Sequence, residues 1–416
     1  MKLIVASAIT VLLSTIALYA ADGFAVSIDL TGLKKGVNAG NAVNTMDSLA
    51  SLGRKLVGYD IVNNKATNER VLCADKCIYP KINIEGNRIA FYRKDSGGKW
   101  HLSLINPDGS NQKDLLDLAS KCYCIIAWPK GDWIYYIKPS STKTTGTGEI
   151  WKVNVANASQ NSKVWGCNEI VRFSLSADAD NAALRAWPDM NNNAYESFPP
   201  SDLNDGAAKP VGGSYEEIRG TELTISRCNI QVAPSGRWVF TYIHYNHMLV
   251  SIHKWDHTKN EVELLKQGPG RGEQAAASGL PVQGKGSYIR SCSNSDKWYA
   301  EICGAYLTFD YGNVIVNWVD SQAISLGEYK MPGDFWVKPP AGKEGQIQLE
   351  NGSWYVVGSD KPVSRTKAPA RNAMQYKTSP MLIAPFTRNA NSQQIQIRAE
   401  NGLVNLHGRL VRPIQK

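Results

Sequence analysis

The sequence predicts an all-β protein: a six-bladed, or seven-bladed, β-propeller with a C-terminal β-rich appendage. Three observations lead there. A strand–turn pattern recurs every 45 residues, cysteines and glycines recur in the same phase, and the series opens on half a unit. Composition agrees with a globular chain, because 43% of the 416 residues are hydrophobic and 20% charged, which excludes disordered, collagenous and polytopic membrane proteins.

Residues 1–20 read as a signal peptide. Met1-Lys2 supplies a positive charge, Leu3 to Leu18 is uncharged and apolar, and Tyr19-Ala20-Ala21 offers small residues for cleavage. Roughly 16 apolar residues fall short of the ~20 needed to span a bilayer, so no membrane span is expected after removal. The expected location is secreted, periplasmic or cell-surface. Residues 21–52 form an N-terminal segment ahead of the repeats.

The repeats are expected over residues 53–340. Lys55-Leu-Val-Gly-Tyr-Asp60 and Arg70-Val-Leu72 match only the outer half of a unit. The first full unit runs through Ile82, Ile84, Gly86, Ile89 and Phe91, then residues 100–105, Asp108-Gly109 and 114–116. Alternation puts Ile82 with Ile84, and Ile89 with Phe91, on shared faces, and the glycines supply the positive φ of tight turns. Further units follow at 125–154 with Gly131, at 171–187 in divergent form, at 228–265 with Gly236, and at 288–318; Phe335-Trp-Val337 would begin a seventh blade. An opening half unit is what a ring closed by strands from both chain ends produces, and closure removes exposed sheet edges.

The segments Ile84-Glu-Gly86-Asn-Arg-Ile-Ala-Phe91 and Ala233-Pro-Ser-Gly236-Arg-Trp-Val-Phe240 resemble the Ser-Pro-Asp-Gly-x-x-Ile-Ala-Phe core of TolB-like (WD40-like) β-propeller repeats. The likeness covers about residues 53–340, and it departs from the family at the acidic turn position, Glu85 or Ser235 here. It implies the fold and a frequent binding role, and it brings no catalytic residues.

Export would make the eight cysteines, Cys73, Cys77, Cys122, Cys124, Cys167, Cys228, Cys292 and Cys303, disulfide candidates. Cys73 with Cys77, and Cys292 with Cys303 across a hairpin, are close enough in sequence to pair, leaving the other four to join the starts of neighbouring blades. Their spacings do not suit zinc, so no metal is expected. Four of the six histidines, His244, His247, His253 and His257, lie within 14 residues, and a turn at Tyr245-Asn246 would put His244 and His247 near one hairpin tip and His257 at the next rather than let the group converge on a metal or a reaction.

Gly279-Leu-Pro-Val-Gln-Gly284-Lys-Gly286 nearly spells a phosphate-binding loop but lacks the Ser or Thr for magnesium and a following helix, so 268–287 reads as an insertion and no cofactor is expected. Asp178, Asp180, Glu216 and Glu217 read as solvated loop acids. Asn157-Ala-Ser159 and Asn351-Gly-Ser353 would accept glycans only in a glycosylating host.

Charge is the sharper signal. The chain is formally +9, and residues 361–416 hold ten Lys and Arg against one acid, which leaves 36 of each sign elsewhere. Within a basic C-terminal β appendage with its linker, 341–416, the attachment candidates are Lys361, Arg365, Lys367, Arg371, Lys377, Arg388, Arg398, Arg409 and Arg412. The expected role is non-enzymatic binding or assembly, in which a protein partner, a neighbouring subunit, or an acidic glycan or envelope surface is engaged, and nucleic acid is not. A carbohydrate-active enzyme, a polysaccharide lyase or glycosidase at the propeller mouth, is the alternative.

Overall fold

The computed structural model describes residues 21–30, 54–118, 126–139, 148–179, 182–186, 195–198, 230–242, 249–256, 261–269, 285–304, 313–320, 322–327, 329–358, 386–387, 396–399, 402–404 and 410–411. Every regular element among the described residues is a β-strand. The chain divides into two units, Met1–Gln375 and Tyr376–Lys416. In the first, five sheets of four or more strands stand in a propeller arrangement.

Strands β1 (Gly23–Asp29), β2 (Lys55–Val62) and β3 (Lys65–Cys73) share one sheet, and β4 (Lys76–Ile82), β5 (Ile89–Lys94), β6 (Trp100–Ile105) and β7 (Lys113–Leu118) form the next. A six-stranded sheet follows: β8 (Ile126–Ala127), β9 (Trp133–Pro139), β10 (Gly148–Asn154), β11 (Asn161–Leu175), β12 (Ala182–Ala186) and β13 (Tyr195–Phe198). The first half of β11 pairs with β10, and its second half, from Ile170 onward, pairs with β12. Then come β14 (Ile230–Val232), β15 (Trp238–Tyr242), β16 (Leu249–Asp256) and β17 (Glu261–Pro269), and β18 (Lys285–Ser291), β19 (Trp298–Gly304), β20 (Asn313–Asn317) and β21 (Gln322–Ser325).

β22 (Lys330–Val337) returns to pair with β1, giving the closing sheet the order β22-β1-β2-β3. The ring is therefore shut by strands from both ends of the repeat region, as the half unit implied. Two boundaries differ from expectation. β1 lies inside the segment 21–52, so the propeller starts before residue 53; a lone strand whose partner β2 begins 26 residues later leaves no local turn signal. Phe335-Trp-Val337 opens no seventh blade, being the end of β22, the inner strand of the closing sheet.

Local chemistry explains the hairpins. Val62 pairs with Lys65 across Asn63-Asn64, whose φ values of 51° and 61° are those of a type I′ turn that matches strand twist. Gly86 and Gly131, 45 residues apart, both carry positive φ, 73° and 99°. At Gly86 a Cβ would also meet the Trp336 ring at 2.2 Å, and Trp336 Nε1 donates to the Ile84 carbonyl at 2.8 Å, which fastens the closing strand to the first blade's turn.

Alternation divides each strand between two neighbouring sheets. From β1, Val26 and Ile28 join Leu56, Ile78, Phe91 and Leu102 in one core, while Ala25 joins Val57, Trp298, Ile315 and Phe335 in another. A third core, of Trp238, Phe240, Ile252, Tyr299 and Trp318, joins the β14–β17 and β18–β21 sheets. Face-to-face packing of this kind is what stabilises a propeller.

After β22, a short hairpin of β23 (Gln346–Gln348) and β24 (Trp354–Val356) still belongs to the first unit, so the appendage does not begin at 341. The second unit contains β25 (Phe386–Thr387), β26 (Gln396–Ala399), β27 (Gly402–Val404) and β28 (Leu410–Val411) as one antiparallel sheet. Ala399 pairs with Gly402 there.

Phe335 is 1% exposed and meets Trp298 edge-on at 5.4 Å. Phe335→Ala should cost about 3–5 kcal/mol, read as a lower urea midpoint with unchanged slope.

Candidate functional site

The inner strands converge on an axial cavity of ≈ 40 Å³. Its wall draws on Lys81 of β4, the end of β8, Ser174 of β11, Gln231 of β14, Ser291 of β18 and Asp334 of β22. Such a volume holds roughly three waters.

Asp334 is the hub of that wall. A register shift in β22 opposite Val26–Ser27 leaves Gly333 as an extra residue, a bulge that re-aims the neighbouring side chain. Asp334, 2% exposed, accepts from the Ile82 amide at 2.7 Å and from the Ser293 hydroxyl, and pairs with Lys81 Nζ at 3.3 Å; its other oxygen accepts from the Phe335 amide at 2.8 Å. One carboxylate thus ties β22 to β4 and to the segment after β18. The single Ser293 hydroxyl proton is shared between Asp334 and the Ile82 carbonyl, 2.7 Å from Oγ, and Lys81 donates to the Ser291 carbonyl at 3.3 Å.

The run Ser291-Cys-Ser-Asn-Ser-Asp296 looks like a surface loop in sequence, yet every one of its residues is buried. Its short polar side chains substitute for backbone partners. Asn294 donates to the Val337 carbonyl at 2.7 Å and accepts from its amide at 2.8 Å, as a paired strand would. Sequence reasoning missed this lock and Asp334; the only available signal was a dense polar run directly after an apolar strand.

The β23–β24 hairpin packs on turns that follow the inner strands. Ile347, fully buried, packs on Ile84 and Ala177 from turns of two different sheets. Gln348 bonds through its backbone to Asn294 and Asp296, at 2.8 Å each, and Glu350 pairs with Arg237 and accepts from Trp238 Nε1 at 3.2 Å. Arg290 stacks 4.2 Å over the Tyr79 ring, and Tyr79 sits in a bulge of β4 with φ 51°.

Beneath the hairpin lies Asp296. Burial pushes its carboxyl up to about 6, against the Ser235 hydrogen bonds and Arg237 that favour charge, and Oδ2 has no hydrogen-bond partner.

The sequence candidates scatter around this centre. Cys73 and Cys77 are buried and unbonded at the β3–β4 crossover, and Cys292 is buried near the axis, its Sγ donating to the Phe335 carbonyl at 2.8 Å. The expected Cys292–Cys303 bridge is overturned by register. Cys292 faces Trp298, whereas Cys303 pairs with Gly286 at the far end of the hairpin. Five residues of strand, roughly 16 Å, separate them, more than twice the reach of a disulfide. Cys167 lies within β11, and Cys122, Cys124 and Cys228 lie outside the described residues.

His253 lies in β16: it is 3% exposed, burial lowers it to about 4, and Nε2 has no partner. His244, His247 and His257 lie outside the described residues, as do Asp180, Glu216 and Glu217. Asp178 accepts from Ser176 Oγ at 2.5 Å in a turn. Lys285 and Gly286 belong to antiparallel β18, which replaces part of the expected insertion and offers no helix to cradle phosphate. Of the attachment candidates only Arg398, in β26, is within the described residues; Lys361, Arg365, Lys367, Arg371, Lys377, Arg388, Arg409 and Arg412 are not.

Among the described residues a second polar cluster lies on β5–β7. His101 bridges Asp95 and Asp117 at 3.0 Å each, and Arg93 bridges Asp75 and Asp114 at 2.6 Å each. Burial alone would raise Asp114, but hydrogen bonds from Arg93 and Ser103 outweigh it and hold the carboxyl below its ordinary value. Its charges are mutually paired, so it braces the sheet.

Comparison with solved structures finds TolB from Acinetobacter baumannii at 9% identity and TM-score 0.46, covering 76% of this chain and 67% of that one. A chain of the nidogen/laminin complex is similar at 9% and 0.44, covering 76% and 97%. A protein provisionally named TolB from Agrobacterium tumefaciens is similar at 13% and 0.37, covering 60% and 90%. No protein-family model and no curated protein matches the chain. Likenesses this distant add nothing to the sheets described above and bring no ligand with them.

Two outcomes follow from the geometry. Asp334→Ala should destabilise the fold by about 3–5 kcal/mol in urea unfolding, because Lys81 and three donors lose their acceptor. For Asp296 the folded carboxyl titrates above the ~3.9 of an unfolded chain, so its contribution is greatest below that value and is lost as pH rises through about 6, by at most about 3 kcal/mol. Asp296→Asn should flatten that part of a stability–pH profile; an unchanged profile would show that Asp296 does not titrate there.

Proposed function

We propose that this chain is an exported, non-enzymatic binding or assembly propeller of a cell envelope or extracellular structure, with its cationic C-terminal region as the attachment element. The observation that carries the reading is the state of the axis. Its polar groups, Asp334, Ser293, Asn294 and Lys81, are engaged in bonds between neighbouring sheets, and a hairpin packs on turns that follow two of the inner strands. A cavity of ≈ 40 Å³ is far below the ~300–1,000 Å³ of small-molecule sites. That favours binding over the carbohydrate-active alternative, which needs free acids around a sugar.

The reading that the ring has six blades is supported by the order of its inner strands. β4, β8, the second half of β11, β14, β18 and β22 succeed one another around the cavity, and on this reading the six-stranded sheet would be two blades fused along β11. Export rests on the apolar run Leu3 to Leu18, and cleavage after Ala20 would leave β1 whole.

Attachment rests on charge, since the ten Lys and Arg of 361–416 carry the entire formal excess of the chain. The short strands β25–β28 would add to a sheet edge of a neighbouring subunit while the cations steer them to an acidic surface. Exposed charges are screened beyond ~8 Å at physiological ionic strength, so this association should weaken with salt. Removing 361–416 should leave a folded, near-neutral propeller that no longer binds an acidic polysaccharide resin at low salt. A truncated protein that stays folded and elutes at the same salt concentration as the full chain would refute attachment by this region.

A further inference from the structure

Cys73 and Cys77 are the two ends of the step from the closing sheet to the first full blade. Cys73 is the last residue of β3 and pairs with Leu56, while the Cys77 amide donates to the Arg54 carbonyl at 3.0 Å, so both flank the start of β2. Three residues, Ala74-Asp-Lys76, join them, and the middle one is held by Arg93 at 2.6 Å, which Asp114 holds in turn at 2.6 Å. Both side chains belong to one buried cluster, close enough for each thiol to shift the other's ionisation. Cys73 is 5% exposed and Cys77 fully buried.

Their surroundings make the two sulfurs unequal. The Cys77 thiol, opposed by burial and helped by the Asp75 amide and Arg93, holds the Cys73 thiol below its ordinary value. Burial, then the Cys73 thiol, pushes Cys77 well up. One sulfur is disposed to start an exchange and its neighbour to complete it, the division of labour of a dithiol pair. Cys292 differs: its thiol is spent on the Phe335 carbonyl.

We propose that Cys73 and Cys77 are a modification site, a pair that a small-molecule disulfide of the glutathione type converts to an intramolecular disulfide across the β3–β4 crossover. The Cys73 thiolate attacks one sulfur of the oxidant and expels one glutathione thiolate, which leaves a mixed disulfide. Cys77 gives up its proton, attacks Cys73 Sγ and expels the second. The two protein thiols lose two protons and two electrons, and the oxidant ends as two thiols. A ring closed by so few residues constrains the unfolded chain little, so the bond would act mainly by fixing the geometry of the crossover. The assignment is independent of what the propeller binds.

Trypsin makes the test direct, because it cuts after Lys76, between the two cysteines. The full chain, purified reduced, is incubated folded with glutathione disulfide, blocked with N-ethylmaleimide and digested without reductant. Peptides 71–76 and 77–81 should appear as one linked species that a reductant splits, and Cys73→Ser should abolish it. Two separate maleimide-labelled peptides, or two peptides each carrying glutathione, would overturn the proposal. Incubation of the urea-unfolded chain under the same conditions provides the reference yield: linkage is expected to be at least severalfold higher in the folded protein, and equal yields would also contradict a preformed pair.

Discussion

The structure depends on one backbone pairing, that of β1 between β22 and β2. A ring of sheets has no stable open form at its seam, since an unpaired inner strand exposes a ladder of donors and acceptors and two apolar faces. β1 closes the seam by pairing on both sides, from Gly23 to Asp29. The approach is close enough to dictate residue type. A Cβ on Gly333 would lie 1.9 Å from the Val26 carbonyl oxygen, and one on Gly23 2.1 Å from that of Trp336. Ser27 adds a hydrogen bond from Oγ to the Met331 carbonyl at 2.7 Å, so the seam is secured by side chain as well as backbone.

The bulge that closure imposes at Gly333 also organises the axis. It delivers Asp334 to the point where β4 and the segment after β18 meet, and the carboxylate there accepts from three partners besides the adjacent Phe335 amide. Small buried polar residues suit such a centre because inner strands crowd together and their outward-facing backbone groups need partners within a few ångströms. Asn294 and Ser293 meet that need without bulk. The same chemistry leaves few free polar groups at the centre.

Legibility in the sequence followed the range of the interactions. The blade hairpins were readable because their signals are local: Gly86 and Gly131 sit at positive φ at the spacing the repeat predicted, Gly236 sits at positive φ as its turn requires, and Ile82, Ile89 and Phe91 are all buried as alternation required. β1 was not readable, because its partners lie 26 and some 300 residues away in sequence and it has no turn of its own. Nor was the axial lock. Ser291 to Asp296 carries the composition of a solvated loop, and only the convergence of β22, β4 and β18 makes it interior. The Cys292–Cys303 pairing failed for a related reason, since closeness in sequence across a hairpin says nothing about which rung each residue occupies. The β23–β24 hairpin was hidden by weak alternation, and its burial comes from tertiary contacts, among them those of Ile347 with Ile84 and Ala177.

Closure by β1 is best tested by hydrogen exchange across the seam in Val26→Pro, which removes an amide from the centre of the closing pairing. Amides of β4–β5 and of β18–β19 lie in the two sheets flanking the closing sheet, outside the mutated strand. If the ring stands on this pairing, both should lose protection together in the variant, while the wild-type chain protects them equally. Retained protection in those flanking sheets, with exchange raised only in β1, β2 and β22, would contradict it and make closure a local embellishment of sheets that hold without it.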